Sequence, residues 1–434
     1  MENVNIFWFR RDLRVDDNHG LFQALNAGLP VVPVFIFDPA ILAQFPDPKD
    51  ARITFIHQNL TELDREFRKY NSSLQVYFSS PEVVFGRLSA KYSIQCVYTN
   101  TDYEPAAVAR DQKVAEILQL KGIEFRSFKD QVIFHQSEVV KTNGAPYTVF
   151  TPYSRKWKEK LAGENLPAFE SGKLLLNLKH LSSDYFPELQ EIGYQVQKVQ
   201  FPAMDFDELL IANYAQTRDF PAENGTSRLG IHLRFGTVSI RKLTRFAQSH
   251  SEVFLNELIW RNFYMDILWH FPQVAEKAFK PKYDFIPWLN NEMEFERWCT
   301  GQTGYPLVDA GMRELNETGY MHNRVRMVVA SFLTKHLLID WRWGETYFAS
   351  KLLDYELASN NGGWQWASGS GCDAAPYFRV FSPALQAKKF DQKGNYIRKW
   401  VPEYETSAYP KPMVDHAFAR LRAIETYRKA LKLL

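Results

Sequence analysis

The chain has 434 residues, of which 45% are hydrophobic and 15% aromatic, and its formal net charge is +2 at pH 7. This length exceeds what one hydrophobic core usually serves, so two or more domains are expected. The balanced charge excludes a polybasic coat but is compatible with a local basic patch that binds nucleic acid.

The cysteines and the hydropathy pattern indicate a cellular compartment. Cys96, Cys299 and Cys372 are widely spaced, which makes a poor disulfide framework and favours a reducing environment. The N-terminal residues become charged before an apolar run reaches signal-peptide length, and no run approaches the roughly 18 apolar residues of a membrane span. We therefore expect a cytoplasmic protein without a membrane partner. The histidines lack metal-ligand spacing, so we expect no metal site.

The first third of the chain alternates between short apolar runs and helical patterns. The runs typical of buried strands are NIFWF, VVPVFIF, LQVYF, IQCVYT and IEFRSF. Apolar residues at helical spacing lie between these runs, at 18–28, 52–70, 81–92 and 105–121. Because strands and helices alternate, residues 1–130 are predicted to form a five-stranded parallel sheet with helices on both faces.

The rest of the chain divides into a connector and a helical part. Residues 131–200 combine prolines, a KTNGAPYT segment and a charged helical stretch, which indicates an interdomain connector. In residues 201–434 apolar positions recur three and four apart, so an all-α domain is predicted. Nine of the eleven tryptophans lie at or beyond Trp260, a clustering that core packing alone explains poorly.

The stretch ENGTSRLGIHLRFG, at 223–236, has the features of a loop that leads into a helix. Thr226 and Ser227 supply hydroxyl groups that can cap the helix start. Free N–H groups at a helix start, together with the guanidinium of Arg228, suit a phosphate group. An ordinary N-cap without a ligand explains the same residues, so both interpretations stay open at this point.

The stretch NELIWRNFY, at 256–264, places an acid, a flat ring and a guanidinium on one helix face. Glu257, Trp260 and Arg261 have the spacing i, i+3, i+4. Together they suit a heteroaromatic ligand that carries phosphate. A surface Glu–Arg pair beside a half-buried tryptophan fits the pattern equally well.

The stretch MHNRVRM, at 321–327, combines two arginines that face different ways. Arg324 and Arg326 are two positions apart, so their side chains point roughly 200° apart on a helix. One can face solvent or DNA while the other turns inward, on the side of Asn323 and Met327. An inward arginine needs a carboxylate, for which Asp354 is the candidate.

The stretch NNGGWQWASGSGCDAAPYF, at 360–378, contains two tryptophans two positions apart. On a helix, Trp364 and Trp366 point to nearly opposite sides. The glycines allow the backbone to approach a flat ligand closely. We interpret this helix as a wall between two planar molecules.

Long stretches of the chain resemble the photolyase/cryptochrome family. The resemblance rests on NNGGWQWA, DAAPYFRVFSP, LQAKKFD, YIRKWVPE, ELIWRNFY, GTSRL and TGYPLVDAGMRELNETGYMHNRVRMVVASFL. WFRRDLRVDDN near the start is similar to the N-terminal domain of the family. The resemblance spans nearly the whole chain and is strongest to class I cyclobutane pyrimidine dimer photolyases. It implies a Rossmann-like α/β domain followed by a helical FAD-binding domain.

The resemblance also assigns residues to non-covalently bound FAD. Its pyrophosphate would contact five consecutive residues and a nearby tyrosine: Thr226, Ser227, Arg228, Leu229, Gly230 and Tyr214. Its isoalloxazine would be lined by Asp354, with Arg326 as ion-pair partner, and by Tyr355, Glu356 and Asn360. The other residues implied at the cofactor are Phe254, Arg261 and Asn323.

The substrate implied by the resemblance is a pyrimidine dimer that is flipped out of UV-damaged DNA. The dimer would lie between Trp260 and Trp366, with Glu257 at its base edge and Asn323 and Met327 in contact. A dimer stacks poorly, so its extrusion costs less than that of a normal base. The residues implied at the DNA backbone are Arg218, Arg261, Arg324, Arg379 and Gln386.

The implied reaction is driven by light. Photoexcited reduced FAD donates one electron to the dimer, the cyclobutane ring splits, and the electron returns. Trp364, Trp341 and Trp288 match the indoles that carry electrons from the surface to oxidised flavin. With Glu257 and Asn360 they make up the catalytic set. Plant cryptochromes carry an aspartate where Asn360 stands, so this residue favours repair over sensing.

Two points stay open within the resemblance. TNTDYEPAAVARD matches folate-binding relatives at YE and ARD, but Ala106 and Ala107 replace an asparagine and a glutamate on the folate. A folate, a deazaflavin, a flavin or no second chromophore are therefore all compatible with the sequence. A signalling cryptochrome and a (6-4) photolyase are the alternatives; the latter carries a histidine pair where this chain has only His322. We expect a monomeric repair enzyme.

Overall fold

The computed structural model describes residues 1–182 and 185–432, and their contacts form two compact units that interleave along the chain. The first unit comprises Met1–Glu138, Glu159–Phe206 and Arg228–Ser249. The second comprises Val139–Lys158, Asp207–Ser227 and His250–Leu434. The expected domain boundaries, 1–130, 131–200 and 201–434, stay predictions.

The first unit contains a sheet of five parallel strands in the order β3-β2-β1-β4-β5. The strands are β1 (Asn3–Phe9), β2 (Val31–Phe37), β3 (Gln75–Phe78), β4 (Ser93–Asn100) and β5 (Glu124–Phe128). Every residue of β2 is buried, as expected for a central strand that is covered on both faces. Each strand coincides with one of the predicted apolar runs, so the predicted fold of this part is confirmed.

The α-helices make up about half of the described chain outside the strands. In the first third they are α1 (His19–Leu25), α2 (Pro39–Leu42), α3 (Ala51–Arg68), α4 (Pro81–Lys91) and α5 (Pro105–Gln119). The next are α6 (Phe150–Gly163), α7 (Glu208–Ala212), α8 (Tyr214–Thr217), α9 (Gly230–Phe235) and α10 (Ile240–His250). The last are α11 (Glu252–His270), α12 (Glu292–Cys299), α13 (Pro306–Thr318), α14 (Asn323–Ser331), α15 (Trp341–Lys351), α16 (Leu357–Ser368), α17 (Pro383–Phe390), α18 (Asn395–Trp400) and α19 (His416–Lys432).

Short helical turns join these elements. The 3-10 turns are Ser171–Asn177, Leu189–Ile192, Pro272–Ala275 and Pro281–Phe285, and a π-helical turn spans Phe332–His336. None of the helices within residues 1–182 and 185–432 combines the length and apolar content needed to cross a membrane.

The second unit is helical, as predicted, and its core is rich in aromatic rings. Trp298, Trp341 and Trp364 are buried in one cluster with Phe332 and Phe348. The core therefore explains part of the tryptophan clustering, since large aromatic side chains dominate the energetics of a packed interior.

Helix boundaries in this unit follow ordinary capping chemistry. Ser251 begins α11 by accepting a hydrogen bond from the Phe254 N–H at 3.4 Å. Gly369 ends α16 in a left-handed conformation, with φ of 91°. Helix α16 begins at Leu357 and carries Trp364 and Trp366, as expected.

Candidate active site

Glu257, on α11, forms an ion pair with Arg218. Burial raises the pKa of Glu257, and the attraction of Arg218 opposes that shift. Both side chains are about one-third exposed, so the pair lies at the boundary between interior and solvent. Two residues that were assigned to the DNA side are thus brought together.

Arg261, one helical turn further along α11, lies beside the carboxylate of Glu356. Its Nε is 3.3 Å from Glu356 Oε2, and both side chains are largely buried. Glu356 is the N-cap residue of α16, so this ion pair links α11 to the start of α16. Both residues belong to the set assigned to FAD.

Arg326 forms the ion pair that was expected from the sequence. Its Nη2 lies 2.9 Å from Asp354 Oδ2, and its Nε donates to the Met321 carbonyl at 2.7 Å. Desolvation opposes the charge of Arg326, but the neighbouring carboxylate outweighs it and raises the pKa of the guanidinium. The pair is therefore a charged, hydrogen-bonded and partly buried feature of the helical unit.

Arg324 faces a different partner, as the spacing of the two arginines predicted. Its Nη2 lies 2.6 Å from Asp219 Oδ1, and its guanidinium lies 4.4 Å from the centre of the Phe390 ring. Asn323 is the first residue of α14, whose start is capped by His322 Nδ1 accepting from the Arg324 N–H. An arginine assigned to DNA phosphate thus has a carboxylate partner in the protein alone.

Asn360 contacts an acid that the sequence analysis missed. Its Nδ2 donates to Glu345 Oε1 at 2.9 Å and to the Glu345 carbonyl at 3.2 Å. Burial raises the pKa of Glu345, and hydrogen bonds from Asn360 and Tyr355 offset part of that shift. The only sequence signal for Glu345 is an acid within WRWGETYF, a helix that is otherwise largely apolar.

Trp364 lies deep in the second unit, only 2% exposed. Its ring meets Phe348 edge-on at 5.0 Å and Trp298 at 6.1 Å between centroids. Gly344 on α15 makes room for the indole, because a Cβ there would lie 2.0 Å from Trp364 Cη2. The fit of α15 against α16 therefore depends on the absence of a side chain at this glycine.

The other two tryptophans of the expected electron path belong to the same core. Trp341, at the first position of α15, is also 2% exposed, and Trp288 packs against the cluster from its edge. Trp288 meets the ring of Tyr427 edge-on at 5.9 Å. The structure thus places Trp364, Trp341 and Trp288 in one continuous set of packed residues.

Trp366 lines a small cavity on the other side of α16. The lining residues are Tyr264, Ile267, Val274, Phe279, Asn361, Gly362, Gln365, Trp366, Gly371, Cys372, Asp373 and Ala374. This set contains Trp366 but not Trp260, whose ring lies 5.4 Å from that of Tyr264. A Cβ at Gly362 would lie 2.2 Å from the Tyr264 ring, so this glycine lets α16 lie close against α11.

The segment before α17 lies beside Trp366. The Phe381 ring is roughly parallel to the Trp366 indole at 6.4 Å, and the Arg379 guanidinium lies 5.4 Å from the centre of the Phe381 ring. Gln386 is on α17, and its Oε1 is buried without a hydrogen-bond partner among the described residues. On α14, the Met327 sulfur atom lies 3.7 Å from Arg324 Nη1.

The predicted hydroxyl caps near residue 226 are wrong. Helix α9 begins at Gly230, its N-cap is Leu229, and no side chain caps it. The Thr226 hydroxyl instead lies 3.0 Å from the Tyr320 hydroxyl, because the helix starts too far along the chain for Thr226 or Ser227 to reach it. Arg228 has a φ of 53°. Non-glycine residues rarely adopt this conformation, and those that do are often found at functional sites.

Tyr214 and Phe254 are also placed together. Their rings meet edge-on with centroids 5.1 Å apart, and burial raises the pKa of Tyr214 above its usual range.

Among the residues that the structure describes, no three His, Cys, Asp or Glu side chains are grouped to hold a metal ion.

The polar groups around α16 suit the ring system of a flavin. They comprise an amide on Asn360, two guanidinium–carboxylate pairs, and the buried carboxyl of Glu345. An isoalloxazine carries both hydrogen-bond donors and acceptors on its polar edge, while its rings are flat and largely apolar. The residues present therefore fit FAD.

Comparison with known proteins extends these observations to nearly the whole chain. Residues 5–171 match the family model described as DNA photolyase, and residues 254–408 match the FAD binding domain of DNA photolyase. A deoxyribodipyrimidine photo-lyase from Synechococcus sp. is 38% identical over 94% of this chain and 90% of its own length.

Solved structures agree with the sequence matches. A class III photolyase from Agrobacterium tumefaciens superposes with a TM-score of 0.86 and 33% identity, covering 100% of this chain and 98% of its own. A Sulfolobus tokodaii photolyase, solved with two FAD molecules, gives 0.80 and 34%, covering 98% and 100%. On this evidence of sequence, fold and site chemistry, the chain belongs to the DNA photolyase family.

Proposed function

We propose that the protein is a deoxyribodipyrimidine photo-lyase, which uses light to split cyclobutane pyrimidine dimers in DNA. The observation that carries the proposal is the 38% identity to an enzyme of that name over 94% of the chain. The buried tryptophan cluster and the polar groups around α16 support it, because both are features that a light-driven flavin enzyme needs.

FAD, when bound and reduced, supplies the photoexcited electron that the reaction requires. We propose that Arg326, Asp354, Tyr355, Glu356 and Asn360 hold its ring system. The Arg326–Asp354 pair at 2.9 Å is already in place, so it orients both groups before any ligand enters. Glu345 accepts a hydrogen bond from the Asn360 amide at 2.9 Å and so fixes the orientation of that amide.

The remaining cofactor residues are proposed from the family resemblance and the placement of their side chains. Arg261 is fixed by Glu356, and Phe254 by its ring contact with Tyr214. Asn323 lies at the first turn of α14. The expected pyrophosphate contacts at 226–230 stay a prediction.

We propose that Trp364, Trp341 and Trp288 pass electrons inward from the edge of the helical unit. Indole is readily oxidised, and a packed series of such rings offers steps through an apolar interior. Trp364 and Trp341 are 2% exposed and are therefore shielded from water, whereas Trp288 lies at the edge of the cluster.

The dimer is proposed to occupy the side of α16 that carries Trp366. Trp260 and Trp366 would stack on its bases, Glu257 would bind a base edge, and Asn323 and Met327 would complete the contacts. Trp366 already lines a cavity beside Tyr264, which the Trp260 ring contacts. Stacking on aromatic side chains suits an extruded lesion because it does not depend on base pairing.

The DNA backbone is proposed to contact Arg218, Arg261, Arg324, Arg379 and Gln386. Arg218 and Arg324 are paired with Glu257 and Asp219 in the protein alone. Binding would therefore exchange a carboxylate for a phosphate at these arginines, and the released Glu257 would become available to the lesion. Such contacts predict an affinity that falls with rising salt.

Three further points complete the proposal. A second, light-harvesting chromophore is compatible with the chain, since a related photolyase from Sulfolobus tokodaii holds two FAD molecules. A monomeric state stays a prediction. We also propose the cytoplasm as its location, because Cys96 and Cys299 are buried as free thiols, as in a reducing compartment.

The proposal is tested by illuminating the purified, chemically reduced protein with an oligothymidylate that contains one cyclobutane dimer. We expect the dimer to be converted to two thymines in the light and to persist in the dark. Repair of a (6-4) photoproduct instead would favour that subfamily. Bound flavin with no repair of either lesion would favour a signalling cryptochrome and contradict the proposal.

A further inference from the structure

We propose that Phe150 is a positioning residue for the lesion. Its ring backs the indole of Trp260, so that this indole offers one fixed surface to an extruded base. The inference rests on the proposed function, because it assigns Phe150 to the same dimer site. Phe150 falls within the predicted connector, 131–200, and no sequence motif assigns it a role.

The contact between Phe150 and Trp260 is unusually close and parallel. The ring centroids are 3.6 Å apart and the planes differ by only 3°. Aromatic pairs prefer offset or edge-to-face arrangements, with centroids about 4.5–7 Å apart. A face-to-face pair is therefore held by the structure around it rather than by the preference of the two rings.

The first turns of α6 hold Phe150 against α11. The Tyr153 hydroxyl donates to Asp266 Oδ2 at 2.7 Å, and Trp157 Nε1 donates to Asn262 Oδ1 at 3.2 Å. Tyr153 and Trp157 are buried and lie three and seven residues after Phe150, so all three share one face of α6. This face is a buttress for the helix that carries Trp260.

A second anchor ties Phe150 to the loop after α16. Its backbone N–H donates to Asp373 Oδ2 at 2.9 Å. Asp373 lines the cavity that also contains Trp366. The residue that backs one proposed stacking ring is thus fixed to the wall beside the other, which couples the positions of both rings.

The other aromatic neighbours of Trp260 lie farther from its ring than Phe150 does and leave part of it uncovered. Phe263 meets the indole edge-on at 5.6 Å, and Tyr264 lies at 5.4 Å with a tilt of 30°. Trp260 stays only half-buried, so part of the ring is available to a ligand. A ring that is ordered before binding loses less conformational freedom when the base stacks on it.

This role predicts a loss of discrimination rather than a general loss of binding. Phe150→Ala would let the indole of Trp260 rotate, and we expect the preference for dimer over undamaged DNA to fall by about tenfold, within the range of one base–aromatic stack. Phe150→Tyr keeps the flat ring and should retain the preference. Contacts to the DNA backbone are separate from this stack, so affinity for undamaged DNA should change little.

The experiment measures the Kd for an oligothymidylate with and without one cyclobutane dimer, and the flavin absorbance of each preparation. The variants are Phe150→Ala, Phe150→Tyr and, as a control, Phe418→Ala, which removes an exposed phenylalanine on α19. A dimer preference that falls only in Phe150→Ala, at unchanged flavin content, supports the inference. An unchanged preference in Phe150→Ala, or an equal loss on both DNAs, overturns it.

Two further measurements distinguish a failure of the role proposed for Phe150 from a failure of the proposed function. If Phe150→Ala does not fold, Phe150→Leu is measured in its place, since leucine keeps much of the volume but not the flat ring; a retained preference overturns the inference. If the unmodified protein itself does not prefer the dimer, the proposed function fails, and the inference fails with it.

Discussion

At the scale of single residues, the helical unit depends on a few positions where one atom more or less decides the packing. Gly344 is the clearest case, because the Trp364 indole occupies the space of its missing side chain. Gly363 is a natural comparison: it lies on α16 next to Trp364 in sequence, but a Cβ there would meet nothing within 4 Å.

These two glycines give a matched prediction. Gly344→Ala should lower the free energy of unfolding by about 1–3 kcal/mol, because an extra methyl group overpacks the core. Gly363→Ala should be neutral or stabilising by up to about 1 kcal/mol, through its better helix propensity. Urea unfolding of both variants checks the pair. Equal stability of the two variants would mean that Trp364 does not pack against α15 as described.

Single residues also show what the sequence could and could not predict. Helix geometry predicted that one of Arg324 and Arg326 turns inward with Asp354 as a candidate partner, and the family resemblance identified Arg326 as the arginine of that pair. Glu345 was not predictable, since its contact with Asn360 depends on how α15 lies against α16. The cap expected at Thr226 was wrong, because hydroxyl residues are favoured in turns as well as at helix starts.

At the scale of elements, strand and helix positions in the first unit followed from the alternation of apolar runs. Such runs are typical of parallel strands that are buried on both faces, and their alternation with helical patterns indicates the order of the elements. The role of α6 did not follow in the same way, because its residues resemble a charged surface helix. The face formed by Phe150, Tyr153 and Trp157 becomes visible only once α11 lies against it.

The π-helical turn at Phe332–His336 carries a prediction of its own. His336 is fully buried, its Nε2 lies 2.8 Å from His416 Nδ1, and the Arg422 guanidinium donates to its carbonyl. Burial, with smaller contributions from His416 and Arg422, lowers the pKa of His336 to about 3. As the pH falls, His336 is therefore protonated in the unfolded chain before it is protonated in the folded protein. Its contribution to the free energy of unfolding is present above about pH 6.5 and is lost as the pH falls towards 3.

The expected size is about 2 kcal/mol lost from this group between pH 7 and pH 5. His336→Gln should make the free energy of unfolding less dependent on pH over this range, as measured by urea unfolding at both pH values. His180→Gln, at an exposed position, is the control and should leave the dependence unchanged. A pH dependence of His336→Gln that equals that of the unmodified protein would contradict the assignment.

At the scale of the whole molecule, the proposed function depends on α16 lying between the cofactor and the lesion. Trp364 faces the apolar core of the helical unit, and Trp366 faces the cavity beside Tyr264. The two residues are two positions apart on one helix, so each can be removed while the other stays in place. The family resemblance predicted the two roles, whereas the surroundings of each ring could come only from the packed structure.

The most direct test compares Trp364→Phe with Trp366→Ala. Trp364→Phe should slow the light-driven bleaching of flavin absorbance by at least about tenfold, which a barrier change of only about 1.4 kcal/mol produces. It should leave dimer binding and repair by chemically reduced protein intact. Trp366→Ala should weaken dimer binding by about tenfold, through loss of one stack, and leave the bleaching unchanged. If both variants lose the same property, α16 does not separate cofactor from lesion and the account is contradicted.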